Sequence, residues 1–112
     1  MSHEDAIRDY FRAFRDADRA TLERLLLPDF RHVSPWGVYE ERDPMLDEIW
    51  PSVGQHWAED ITIYGGGPDY LVRYRHSTGV AFVEHFRFEG DRIAQVEVFA
   101  GRREEGASST PA

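Results

Sequence analysis

Helix-type and strand-type spacing occupy different parts of this sequence, and that segregation limits the fold more than any single residue does. Helical spacing occurs only before Pro51. From Ile61 onward apolar residues alternate and β-branched and aromatic types dominate. Ile7, Tyr10, Phe11, Phe14 and Ala17 form one stripe of a helix over about residues 3–17, and Ser2 with Asp5 has the form of a capping box. Asp18 reads as the cap of a second, short helix carrying Thr21, Leu22, Leu25 and Leu26 before Pro28 forbids continuation. A short strand over 30–34, with Phe30, His32 and Ser34 on one face, ends at Pro35 and Gly37. Asp43 and Pro44 then signal a third helix that packs Met45, Leu46, Ile49 and Trp50 and is kinked or ended by Pro51.

The second half reads as strands near 60–64, 69–76, 80–88 and 92–100, joined by turn chemistry at "GGGP" (65–68), "STG" (77–79) and "EGD" (89–91). Helices that lead and strands that follow give an α+β fold, with the helices on one face of a curved antiparallel sheet. A chain of 112 residues, 41% hydrophobic, holds one core. That core is assigned to a single domain over 1–102, and the tail 103–112, which has no apolar pattern, is expected to be disordered.

Charge and missing residue types narrow the function classes. The formal charge is −8, from 21 acidic and 13 basic residues, which disfavours nucleic acid and anionic membranes as partners. No cysteine is present, so disulfides, thiol nucleophiles and thiolate metal sites are excluded. Lysine and asparagine are also absent, which removes Schiff-base chemistry, a P-loop lysine and N-glycosylation acceptors. The first nine residues are polar and no long apolar run follows, so a cytoplasmic protein without a membrane span is expected. His3, His56 and His76 fall at an end or in turn regions with no HxH or HxxxH spacing, so neither a metal nor a cofactor is expected.

The stretch "VAFVEHFRFEG" (80–90) sets one carboxylate, Glu84, among Phe82, Phe86 and Phe88 on one face of a strand. An acid there loses hydration, which favours its neutral, hydrogen-bond-donating form. The alternative is a solvent-facing Glu84 or one paired with Arg73 or Arg75.

The order of elements, with "YFRAF" followed by "ATLERLLLPDF", resembles the nuclear transport factor 2-like superfamily over residues from about 4 to 101. The resemblance implies a cone-shaped, cystatin-like fold in which N-terminal helices pack in a curved sheet enclosing a pocket. Its members include ketosteroid isomerases, scytalone dehydratase, limonene epoxide hydrolase and SnoaL-like polyketide cyclases. Locally the chain is most similar to the ketosteroid isomerases: Tyr10 falls on their oxyanion-hole tyrosine and Glu84 on their protonated acid. Where they carry the aspartate base, before Pro-x-Gly, this chain has Ser34 in "HVSPWG".

The resulting expectation is a small-molecule enzyme of isomerase, dehydratase or cyclase type, moving a proton next to a carbonyl of an apolar or polycyclic substrate. Tyr10 and Glu84 would polarise the oxygen and His32 is the best remaining base. Phe14, Ser34, Trp36, Trp50, Phe82, Phe86 and Phe99 are the expected pocket residues. The competing expectation is a non-catalytic module that binds a hydrophobic ligand or dimerises around a vestigial pocket. A homodimer is expected through the outer sheet face, on a strip of Leu71, Arg73, Arg75, Ala81, Val83 and His85.

Overall fold

Two capped helices open the chain. In a computed structural model describing residues 1–103, α1 spans His3–Arg15 and its capping box is complete: Ser2 accepts from the Asp5 amide while Asp5 accepts from the Ser2 amide. The helix stops two residues short of the expected end, because Ala17 adopts a left-handed backbone (φ 54°). Helix α2, Arg19–Leu25, starts on the Asp18 side chain, as its sequence demands.

Strand β1, Leu26–Ser34, begins four residues earlier than expected. Pro28 therefore lies within a strand, where its missing amide does no harm: pairing with β6 lapses between Leu26 and Arg31. A three-residue strand β2, Gly37–Tyr39, folds back on β1. Helix α3, Arg42–Ile49, follows and leads through a 3-10 turn at Pro51 to a meander of β3 (Ala58–Gly66), β4 (Asp69–His76), β5 (Val80–Glu89) and β6 (Arg92–Arg103).

These strands make one sheet in the order β2-β1-β6-β5-β4-β3. The expected all-antiparallel sheet needs one correction, since β1 and β6 run parallel. The long excursion through α3 and the meander supplies the crossover that a parallel pair requires. Pairing registers shift near Asp60, near Arg87 and between Val80 and Phe82, and such bulges bend a sheet. Gly65 carries a tight hairpin bend, because a Cβ there would lie 2.6 Å from the Asp69 carbonyl oxygen.

The inner face of this mixed α+β sheet packs on α1. Ala6, Ile7, Tyr10 and Ala13 of the helix meet Val72, Phe86, Phe88, Ile93 and Val96 of the sheet, while Leu22, Phe30, Met45 and Leu46 close the far end. Except for Arg103, which ends β6, the tail expected to be disordered lies outside the described residues. No helix among the described residues is long and apolar enough to cross a membrane.

Candidate functional site

The direction of Glu84 follows from register. It sits opposite Val72 on β4 and Val98 on β6, both core residues, so its side chain enters the interior and only 5% of the residue is exposed. Its oxygen Oε2 accepts a hydrogen bond of 2.5 Å from the hydroxyl of Tyr74, while Oε1 is buried without a partner among the described residues. Burial pushes this carboxyl up to about 7, and the Tyr74 hydrogen bond, which favours the charged form, opposes the rise. Of the two arginines that could instead have paired with Glu84, Arg73 and Arg75, Arg75 ion-pairs with Glu59 and Asp60.

Two phenols flank the acid. Tyr10 projects from α1 with its ring edge-on to Phe86 at 5.0 Å and to Phe14 at 4.9 Å. Tyr74 stacks on Phe82 with centroids 5.6 Å apart. Burial, and after it the negative charge of Glu84, raises both phenols above their ordinary range, so both remain hydrogen-bond donors at neutral pH.

Tyr10, Tyr74 and Glu84 share a cavity of about 160 Å³. Phe11, Phe14 and Arg15 of α1 wall one side, and His56, Trp57, Ala58 and His76 form the rest of its lining. In the sequence His56 and His76 read as turn residues, and no motif marks Tyr74. The available signal for Tyr74 was its parity: it lies two residues from Val72 on the inward face of β4. Nδ1 of His76 receives the Thr78 amide at 3.3 Å and lies 2.6 Å from the Thr78 hydroxyl. Because the amide can only donate, a neutral His76 ring carries its proton on Nε2. Burial, then the neighbouring His56, lowers the basicity of His76 and favours that neutral form.

The other expected site residues divide. Phe14 lines the Glu84 cavity, Phe82 stacks on Tyr74, and Phe86 is fully buried beneath Tyr10. His32 and Ser34 line a different groove, of about 520 Å³, together with Trp36, Tyr39 and Glu48. The Ser34 hydroxyl is engaged in its own turn, accepting from the Trp36 amide at 3.2 Å and donating to the Gly37 carbonyl at 3.4 Å. Trp50 packs at the core edge with the Arg19 guanidinium 5.6 Å above its ring. Phe99 needs correcting as an inner wall: Val98 faces inward opposite Glu84, so Phe99 points outward and is 49% exposed. No cluster of three or more His, Asp or Glu side chains at metal-binding spacing occurs among the described residues.

On the outer face the expected strip is continuous, since Leu71 pairs with His85, Arg73 with Val83 and Arg75 with Ala81. Phe99 lies opposite Val83 and extends the strip onto β6.

Sheet order, a helix across the inner face and an enclosed polar pair allow comparison with solved structures. An NTF2-like protein of unknown function from Cytophaga hutchinsonii superposes with a TM-score of 0.74 at 14% identity, covering 89% of this chain and 90% of that one. A protein of unknown function with a cystatin-like fold, from Xanthomonas campestris, gives 0.73 at 24% identity over 92% and 93% of the two chains. The fold is nuclear transport factor 2-like. A further protein of this fold, described as a candidate polyketide cyclase, from Sinorhizobium meliloti, gives 0.74 at 20% identity, covering 88% of this chain and 100% of that one. No protein-family model matches the sequence, and no curated protein does. At these identities the nuclear transport factor 2-like likeness speaks for architecture, and the chemistry must come from the side chains themselves.

Proposed function

We propose that the protein is a small-molecule enzyme that moves a proton next to a carbonyl group in the Tyr10–Tyr74–Glu84 cavity. The observation that carries this reading is the buried Glu84, whose carboxyl sits at about 7 with one oxygen held by Tyr74. A carboxyl in that range is ionised often enough to take a proton from carbon and protonated often enough to return it. Glu84 therefore replaces His32 as the proton-moving group, since His32 lies in the other groove. Tyr10 donates to the oxygen on which negative charge develops. The likeness to a candidate polyketide cyclase is compatible with this chemistry.

The cavity seats about one ring beside Glu84. A volume of about 160 Å³ is close to that of an engineered protein cavity that holds one benzene, roughly 150 Å³. A single-ring or shorter enolisable ketone is therefore the first substrate to test, and a polycyclic one would have to extend out of the open mouth of the cavity.

The test is α-proton exchange into deuterated water, followed by NMR on small cyclic ketones. Exchange by the native protein should fall at least about a hundredfold in Glu84→Gln and about tenfold in Tyr10→Phe. Exchange no faster than in buffer, with a phenol still seated beside Glu84, would establish the non-catalytic binding module instead. We also propose self-association through the outer strip that runs from Leu71 to Phe99, tested by sedimentation of Leu71→Asp.

A further inference from the structure

Trp36 shows 73% of its surface to solvent at the turn between β1 and β2, and the Glu84 cavity makes no use of it. It overhangs the groove of about 520 Å³ between this hairpin and the end of α3. A large exposed indole beside a groove of ligand size is a binding feature in need of an occupant.

Three properties of the walls specify that occupant. Trp36 and Tyr39 offer aromatic faces. Among the described residues, Glu48, from the last turn of α3, is the charged residue in the lining and no arginine lines the groove, although the 13 Lys and Arg positions of the protein are all arginine. The Tyr39 hydroxyl donates to Oε2 of Glu48, which orients the carboxylate without neutralising it, because the proton stays on a phenol whose acidity this contact weakens. His32, at the inner end, is kept uncharged by burial and so does not repel a cation.

An anion would meet the Glu48 carboxylate and a protein of net charge −8, both unfavourable. A neutral apolar ligand would desolvate Glu48 with nothing in return. A weakly hydrated cation satisfies the carboxylate and gains from aromatic faces at once. We propose that the groove between the β1–β2 hairpin and α3 is a second binding site, for an organic cation of the alkylammonium class, with Glu48 as counter-ion and Trp36 and Tyr39 as its aromatic walls. The site is independent of the chemistry assigned to the Glu84 cavity.

The test is an NMR titration of the ¹⁵N-labelled protein with choline and with 3,3-dimethylbutan-1-ol, which has the same shape and no charge. Choline should shift the Trp36 indole N–H, identified by its loss in Trp36→Phe, and bind at least about tenfold tighter than the alcohol. Glu48→Gln should reduce choline to the level of the alcohol, and Glu84→Gln should leave both affinities unchanged. Equal affinity for the two probes, no shift of Trp36 at millimolar choline, or undiminished choline binding in a folded Glu48→Gln protein would each overturn the proposal.

Discussion

Tyr74 and Glu84 lie on neighbouring strands without being opposite each other: Tyr74 faces Phe82 and Glu84 faces Val72, so their 2.5 Å hydrogen bond runs diagonally across the inner face of the sheet. A diagonal contact of this kind fixes one carboxylate oxygen in a place that neither strand could set alone. Among the described residues it is also the interaction that holds the acid down against burial.

Removing that hydroxyl should therefore move the acid in a definite direction. In Tyr74→Phe the charged form of Glu84 loses a charge-assisted hydrogen bond, which contributes roughly 1.5–3 kcal/mol. The carboxyl should titrate about one to two units higher than in the native protein. Carbon-detected NMR of the Glu84 carboxyl reads this directly, and a midpoint that stays put or falls would refute the assignment.

Stability should carry the signature of the same group. An acid raised from its ordinary value near 4.5 to about 7 binds more protons in the folded than in the unfolded state. Its contribution is most favourable below about pH 4.5, is lost progressively up to about 7, and is flat above. The loss amounts to about 3 kcal/mol at most. Denaturant unfolding of the native protein and of Glu84→Gln, compared at pH 5 and pH 8, isolates it from other titrations. The variant should gain relative to the native protein at the higher pH, and a gain at the lower pH would contradict the burial argument.

Much of the fold can be read before any coordinates because local rules and global packing agree in this chain. Ser2 and Asp5 close a capping box, Asp18 caps α2, and the glycine-rich turns fall between the strands they were expected to join. The parallel β1–β6 pair escapes notice because β6 supplies a partner for β1 only after the chain has crossed α3 and four strands. Site residues are harder for a related reason. Alternation tells which face a side chain takes but not its place along the sheet, so His32, on the inward face of β1, falls in a different groove from Glu84, two strands away. Phe99 misleads because aromatic character suggests a cavity wall while its parity, opposite to that of Val98, places it outside. Tyr74 is the reverse case: its inward parity is legible, but its diagonal reach to Glu84 depends on the β4–β5 register.

Helix α2 ends on two guanidinium groups, and this arrangement gives a prediction about stability alone. Arg92 donates to the carbonyls of Arg24 at 3.0 Å, Glu23 at 2.9 Å and Leu26 at 2.7 Å. Arg42 donates to those of Glu23 and Leu26 at 3.0 and 3.2 Å. These carbonyls lack helical partners and would otherwise be left unpaired where α2 turns into β1. Arg92→Met, which keeps most of the apolar stem, should cost about 2–3 kcal/mol in denaturant unfolding. Arg42→Met should cost less, and the double variant should exceed the sum of the two, because each guanidinium partly covers for the loss of the other. Strict additivity would mean that the carbonyls are not shared.

The junction of the first two helices should weaken only at strongly acid pH. Asp18 accepts from the Thr21 hydroxyl at 2.7 Å and from its amide at 3.2 Å, and it receives the Arg12 guanidinium at 3.1 Å. Those contacts, the Thr21 hydroxyl foremost, hold its carboxyl down to about 2. A depressed carboxyl contributes stability that is fully present above its ordinary value near 4 and disappears as the pH falls toward 2. Asp18→Asn retains an oxygen that can cap the Thr21 amide but gives up the charge that Arg12 binds. The variant should be less stable than the native protein at pH 7, and the difference should shrink between pH 4 and pH 2 as the native carboxylate is protonated. Circular dichroism of both proteins across that range measures the gap, and a gap that widened toward low pH would show that the charge at residue 18 does not stabilise the fold.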